Sequence, residues 1–277
     1  MNGGTSDHWI HLEAGIQLQE SRHYASLVSQ ETRLLNNICR MLLLFAQTTV
    51  AQPKPKPWPG FDNAPTWTDF HFLEPNVEFL YGITISIAQA VFKVYQLTQY
   101  LSYYKDKVYP QSLMEACERL GDELCSRMIS SEQFSTLDSK EGQMLRVAHA
   151  QARAFHYATL IYYYRSVQKC ARESLSFEQQ TAVAAMNEAE DLKSSLDVAG
   201  SFPAPIAWPA FIASCEAVGE ERQHWDKWWS RVQRYRMGNY YRQHCTVRGV
   251  WAKLDNSHMV IDWREALMEM KLRIIPV

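Results

Sequence analysis

The residues of this chain best suited to chemistry lie together between positions 153 and 164. Arg153, His156, Tyr157, Leu160 and Tyr164 recur at three- and four-residue steps. On a helix they form one stripe, with Tyr163 adjacent but turned elsewhere. Imidazole and phenol beside a guanidinium suit general acid–base or hydrogen-bond catalysis. Polar groups on a buried helix must also be hydrogen-bonded to something. Two readings follow. Either Glu216 and neighbouring helices satisfy the stripe internally, or the stripe is the polar wall of a small-molecule cavity. In the second reading Arg153, His156, Tyr157 and Tyr164 share the site with Glu216 and with Trp208, Phe211 and Cys215 as apolar partners. Were the chain an enzyme, His156, Arg153 and Tyr164 would be its catalytic candidates.

Other constellations carry less. The stretch from Trp225 to Arg236 interleaves tryptophans with Lys227, Arg231 and Arg234, which suits base stacking. However, Trp225, Trp228, Trp229 and Val232 follow core-facing helical spacing, so packing with a solvated basic rim is the expectation and direct nucleic-acid contact is not. His8 and His11 have metal-capable spacing but no third ligand nearby. Glu188, Glu190 and Asp191 read as a solvated helix face rather than an aspartate-rich magnesium site. No nucleophile elbow, P-loop or dinucleotide fingerprint occurs. The expectation is no metal and no cofactor.

The six cysteines, at 39, 117, 125, 170, 215 and 245, contain no C-x-x-C pair. They fit neither a zinc ribbon nor a disulfide framework and read as reduced thiols. Charge excludes little but is informative: 28 Lys+Arg against 30 Asp+Glu give a net −2. Nothing drives the chain as a whole onto nucleic acid or an anionic membrane. Its longest wholly apolar run, Met41 to Ala46, is far short of the ~20 residues that span a bilayer. The N-terminus lacks a secretory pattern, so a soluble intracellular protein is expected.

Helical periodicity positions these residues. Helices are expected over 12–50, 77–104, 110–129, 141–172, 177–196, 207–217, 220–236, 239–253 and 262–271, about nine in all, with no strand. The prolines between Gln52 and Gly60 end the first helix and favour polyproline II. Beyond it, Trp58, Phe61, Trp67, Phe70 and Phe72 are expected against the core. The fold class is all-α, a single irregular multi-helix domain at 77–277 preceded by an N-terminal helix and Pro-rich segment at 1–76.

Five landmarks occur in order: A-W-P-A-F-I-A-S-C-E-A at 207–217, Arg222 with Trp225, Gly238-Asn239, V-W-x-x-x-D from Val250 to Asp255, and D-W-R-E-A-L from Asp262. With Glu78 to Ile83 and the helix containing Tyr162 to Arg165, they resemble the fungal-specific transcription factor domain family over about 77–272. That domain is the helical regulatory region found behind a zinc-cluster DNA-binding head. The resemblance implies a transcriptional regulator or co-regulator, nuclear, acting on a fungal specialised-metabolite gene set. It would act through a protein partner, a homodimer or a small hydrophobic ligand, without membrane contact. These 277 residues hold no clustered cysteines of the head type, so autonomous promoter binding is not expected. The alternative is a cofactor-free cyclase or isomerase built on the same scaffold. Pro209 suits a first helical turn, and the charge of Glu216 demands a partner, either Arg153 or Arg165.

Overall fold

The computed structural model describes residues 14, 15, 17, 30–61, 82–126, 142–195, 205–257 and 261–276. Nine α-helices and no strand are present among them: α1 (Gln30–Thr48), α2 (Ile85–Tyr103), α3 (Gln111–Ser126), α4 (Gly142–Ser166), α5 (Ser176–Ser195), α6 (Trp208–Glu216), α7 (Glu221–Val232), α8 (Gly238–Asn256) and α9 (Trp263–Glu269). Short 3-10 turns precede α5 and follow α7. The all-α expectation holds. Most of the expected helix before Gln30, the residues Trp67, Phe70, Phe72, His8 and His11, and Glu78 to Tyr81 lie outside the described residues.

The second helix starts later than its apolar run suggests. Gly82 to Thr84 are not helical, and α2 opens at Ile85. Thr84 is extended at its N-cap, where its hydroxyl accepts from the amide of Ile87 at 3.3 Å. Gly82 adopts φ +67°, the left-handed region that favours glycine. The backbone here also passes close to α4. A Cβ at this position would lie 2.8 Å from the carbonyl oxygen of Ala148 and 2.9 Å from the amide nitrogen of Ala152, both on α4.

Helix α4 is the axis of the domain, packed along α5 and against α6, α2 and α3. Its two faces do different work. Phe155 and Tyr162, seven residues apart, point inward toward α6, where Phe155 stacks on Trp208 at 5.8 Å between ring centres. Phe45 of α1 stacks on the same indole at 5.3 Å, and the Trp208 Nε1–H donates to Thr48 Oγ1 at 2.9 Å. The hydrogen bond lets an indole sit wholly dry. Every residue of α6 is buried. From the other side Phe211 meets Trp263 edge-on, and Trp225, Trp228, Trp229 and Val232 of α7 are fully covered. The Pro-rich stretch is held by Trp58, which donates to Ser112 Oγ at 3.0 Å and meets Tyr100 edge-on. Phe61 stays 40% exposed beneath the Arg119 guanidinium.

Candidate functional site

The outward face of α4 lies about 180° around the helix from Phe155 and Tyr162, so it carries the Arg/His/Tyr stripe. Arg153, His156, Tyr157, Leu160 and Tyr164 line a surface groove of about 320 Å³. Cys125 at the end of α3, and Phe177 and Glu178 at the start of α5, complete its wall. His156 and Leu160 form a floor that is 5% exposed, while Phe177 stands 66% exposed at the rim. Tyr157 bridges the two, edge-on to the His156 ring at 5.3 Å and to Phe177 at 5.9 Å.

The polar atoms of the groove are largely engaged at its edges. Tyr164 Oη lies 3.2 Å from Cys125 Sγ. That contact, and then burial, push the phenol above its ordinary value, so it stays protonated. Arg153 pairs with Glu188 of α5, both side chains partly exposed. Tyr163 does turn away: its hydroxyl donates to the carbonyl of Cys117 at 2.8 Å.

The structure divides the remaining site residues from this groove. Trp208, Phe211 and Cys215 are fully buried and Glu216 is 1% exposed, on the inward side of α4. None of the four lines the groove. The reason lies in helical phase, because α6 packs against the Phe155 face and the stripe points the opposite way. Of the two partners considered for Glu216, Arg165 is the one found, with Nε 2.9 Å from Oε2, while Arg153 is taken by Glu188.

Glu216 therefore belongs to a second, buried cluster. Asp262 caps α9 with a complete capping box closed by Glu265. Arg264 grips Asp262 through Nε and Nη2, each at 2.8 Å, and donates from Nη1 to Ser166 Oγ of α4 at 2.8 Å. Burial alone raises the Asp262 carboxyl, but the Arg264 charge and hydrogen bonds overcome it and hold it at about 2. Glu216 goes the other way. Burial and the negative Asp262 raise it to about 7 against the pull of Arg165 and Arg264. Neither of its oxygens accepts a well-aligned hydrogen bond from a described residue.

The basic–aromatic stretch of α7 does not form a stacking platform. Its tryptophans are buried, Arg231 pairs with Asp191 at 2.7 Å, and Arg234 pairs with the fully buried Glu190 at 2.7 Å. Glu188, Glu190 and Asp191, read as one solvated face, separate accordingly: Glu190 is a core anion also bonded by Lys193 and Tyr235. The i+3 spacing of Glu190 and Lys193 carried that signal. Sequence reasoning missed Cys125, Phe177 and Glu178, which are distant in the chain and have no spacing signature. It also missed the Asp262–Arg264 pair, although the D-x-x-E capping pattern was legible.

Among the described residues no group of three His, Cys, Asp or Glu is placed to hold a metal ion. No helix there is long and apolar enough to cross a membrane. No curated protein and no solved structure matches the chain. The family model described as the fungal specific transcription factor domain matches residues 1–276, extending through the N-terminal segment that precedes the landmark residues. The chain belongs to the fungal specific transcription factor domain family.

Proposed function

We propose that this chain is a transcriptional regulator or co-regulator of a fungal specialised-metabolite gene set, acting in the nucleus through the outward face of α4. Family membership supports regulation of transcription as the general role. The observation that carries the finer reading is the convergence of Arg153, His156, Tyr157, Leu160 and Tyr164 on one open groove while the opposite face of α4 is wholly consumed by packing. A groove with an apolar floor and a few fixed polar groups suits a small hydrophobic ligand or an inserted side chain of a protein partner. Tyr164 enters this reading as a hydrogen-bonding phenol.

The test is a deletion strain complemented with wild type, Arg153→Ala, His156→Ala or Tyr164→Phe. Transcript profiles, nuclear localisation and metabolite extracts are recorded together. Loss of target transcripts in the variants, with wild-type protein levels, supports the reading. Wild-type transcripts in all three variants would remove the groove from it. A precursor that accumulates in the deletion strain and is converted by purified protein would replace regulation with catalysis.

A further inference from the structure

A second cavity, of about 500 Å³, lies on another side of the molecule, between the end of α1, helix α9 and the tail that follows it. Its wall is apolar along Val50, Leu267, Met268 and Leu272. Val50 and Met268 are 38% and 50% exposed, so the cavity opens to solvent. The tail is fixed across it, with Thr49 Oγ1 donating to the Ile274 carbonyl at 2.9 Å. Its volume falls in the range of small-molecule sites, roughly 300–1,000 Å³.

The charged side chains that line this cavity are basic, with Asp262 set behind one of them. Arg264, Lys271 and Arg273 line it, and no acidic residue does among the described residues. Arg264 is engaged, yet among the described residues only three of its five donors are used, on Asp262 and Ser166. Lys271 and Arg273 have no ion-pair partner among the described residues. Lys271 also sits in a costly conformation. It follows α9 at φ +57°, in a helix-ending turn closed by Lys271 N to Met268 O and Leu272 N to Leu267 O. Glycine is the residue that such a turn favours. A cation there also suits the negative end of a helix, and that explanation does not reach Arg273, two residues further on.

We propose that this cavity binds a small amphipathic carboxylate, its acid group between Lys271, Arg273 and the spare donors of Arg264, its chain along Val50, Leu267, Met268 and Leu272. The site is independent of the α4 groove. Arg264 joins it to the core, because the same guanidinium holds Asp262 and reaches Ser166 of α4.

Dodecanoate is the probe, titrated below its micellar concentration into the full-length protein by calorimetry, with dodecyltrimethylammonium as the cationic control. One dodecanoate binds per chain, at least tenfold more tightly than the control, and binding weakens at 1 M salt. Lys271→Glu and Arg273→Glu each lower affinity tenfold or more without shifting the melting temperature of the free protein by more than a few degrees. Lys271→Gly separates the site from the fold: it raises the melting temperature and still weakens dodecanoate. Arg153→Ala and His156→Ala leave dodecanoate affinity at the wild-type value, so loss of this site and loss of the α4 groove are told apart. Equal binding of the two probes, or affinity unchanged by both charge reversals, would overturn the proposal. So would binding of an acidic amphipathic peptide at these residues with no binding of dodecanoate.

Discussion

Arg165 Nε lies 2.9 Å from a carboxylate oxygen of Glu216, yet neither partner makes an aligned hydrogen bond to the other. An ion pair of this kind attracts without compensating the loss of water, so removal from solvent dominates the carboxyl. This explains why Glu216, with an arginine beside it, is raised to about 7 while Asp262, gripped by two aligned bonds from Arg264, is held at about 2.

The two carboxyls give opposite slopes of stability with pH. Glu216 holds a proton in the folded state that the unfolded chain has released, between its ordinary 4.5 and about 7. Stability therefore falls as pH rises through that window and levels off above it. Asp262 contributes stability above its ordinary 3.8, lost as pH falls toward 2. Glu216→Gln should flatten the unfolding free energy between pH 5 and 8 and exceed wild type at pH 8. The gap from 4.5 to about 7 sets a ceiling of roughly 3 kcal/mol, reduced by the lost attraction of Arg165. Urea unfolding of both proteins across this range decides it. A variant less stable than wild type at pH 8 would show that the Arg165 contact outweighs desolvation.

Gly82→Ala should destabilise the domain by about 2–4 kcal/mol. The left-handed backbone costs any β-carbon about 1–2 kcal/mol. The new methyl would also press on Gln151 and on backbone atoms of Ala148 and Ala152, which cannot rotate away. Thermal or urea unfolding checks it, with Gly142→Ala, where a Cβ meets nothing within 4 Å, as the control. Equal loss in the two variants would mean that α2 and α4 are not held at this approach.

Which parts of this were legible in the chain follows from range. Helix period and proline stops are local, and they placed α3, α5, α6 and α9 within a few residues. The stripe on α4 was legible for the same reason, since five residues within a dozen positions fix one face. What lies opposite that face depends on packing between helices far apart in sequence. Trp208 was expected as an apolar partner of the stripe, and it stacks on Phe155, half a turn away. The start of α2 was misread because the residues before Ile85 are as apolar as the helix itself, and only the φ of Gly82 and the Thr84 cap end it there.

Arg153→Ala should leave stability nearly unchanged. Its ion pair with Glu188 joins side chains that are 38% and 49% exposed. Exposed pairs of this kind contribute about 0–1 kcal/mol. A melting temperature within about 3 °C of wild type is expected. Any loss of transcripts in this variant then reports on what the groove binds rather than on folding. A drop of 10 °C would instead make Arg153 a structural residue and remove it from the site.

Cysteine labelling reads both the fold and the groove in one measurement. Cys125 and Cys245 are exposed, whereas Cys117 and Cys215 are buried. Burial pushes the Cys117 thiol up to about 11 and raises the Cys215 thiol well above its ordinary value, so few thiolates form at either site. Alkylation at pH 8 followed by peptide mapping should modify Cys125 and Cys245 within minutes and spare Cys215 until the chain unfolds. Because Cys125 lines the α4 groove with Tyr164, a bound ligand or partner should slow its labelling at least fivefold and leave Cys245 untouched. Equal slowing at both cysteines would place the contact elsewhere. Rapid labelling of Cys215 in the folded protein would contradict the packing of α6 against α4, and with it the division of the Arg/His/Tyr stripe from the tryptophan core.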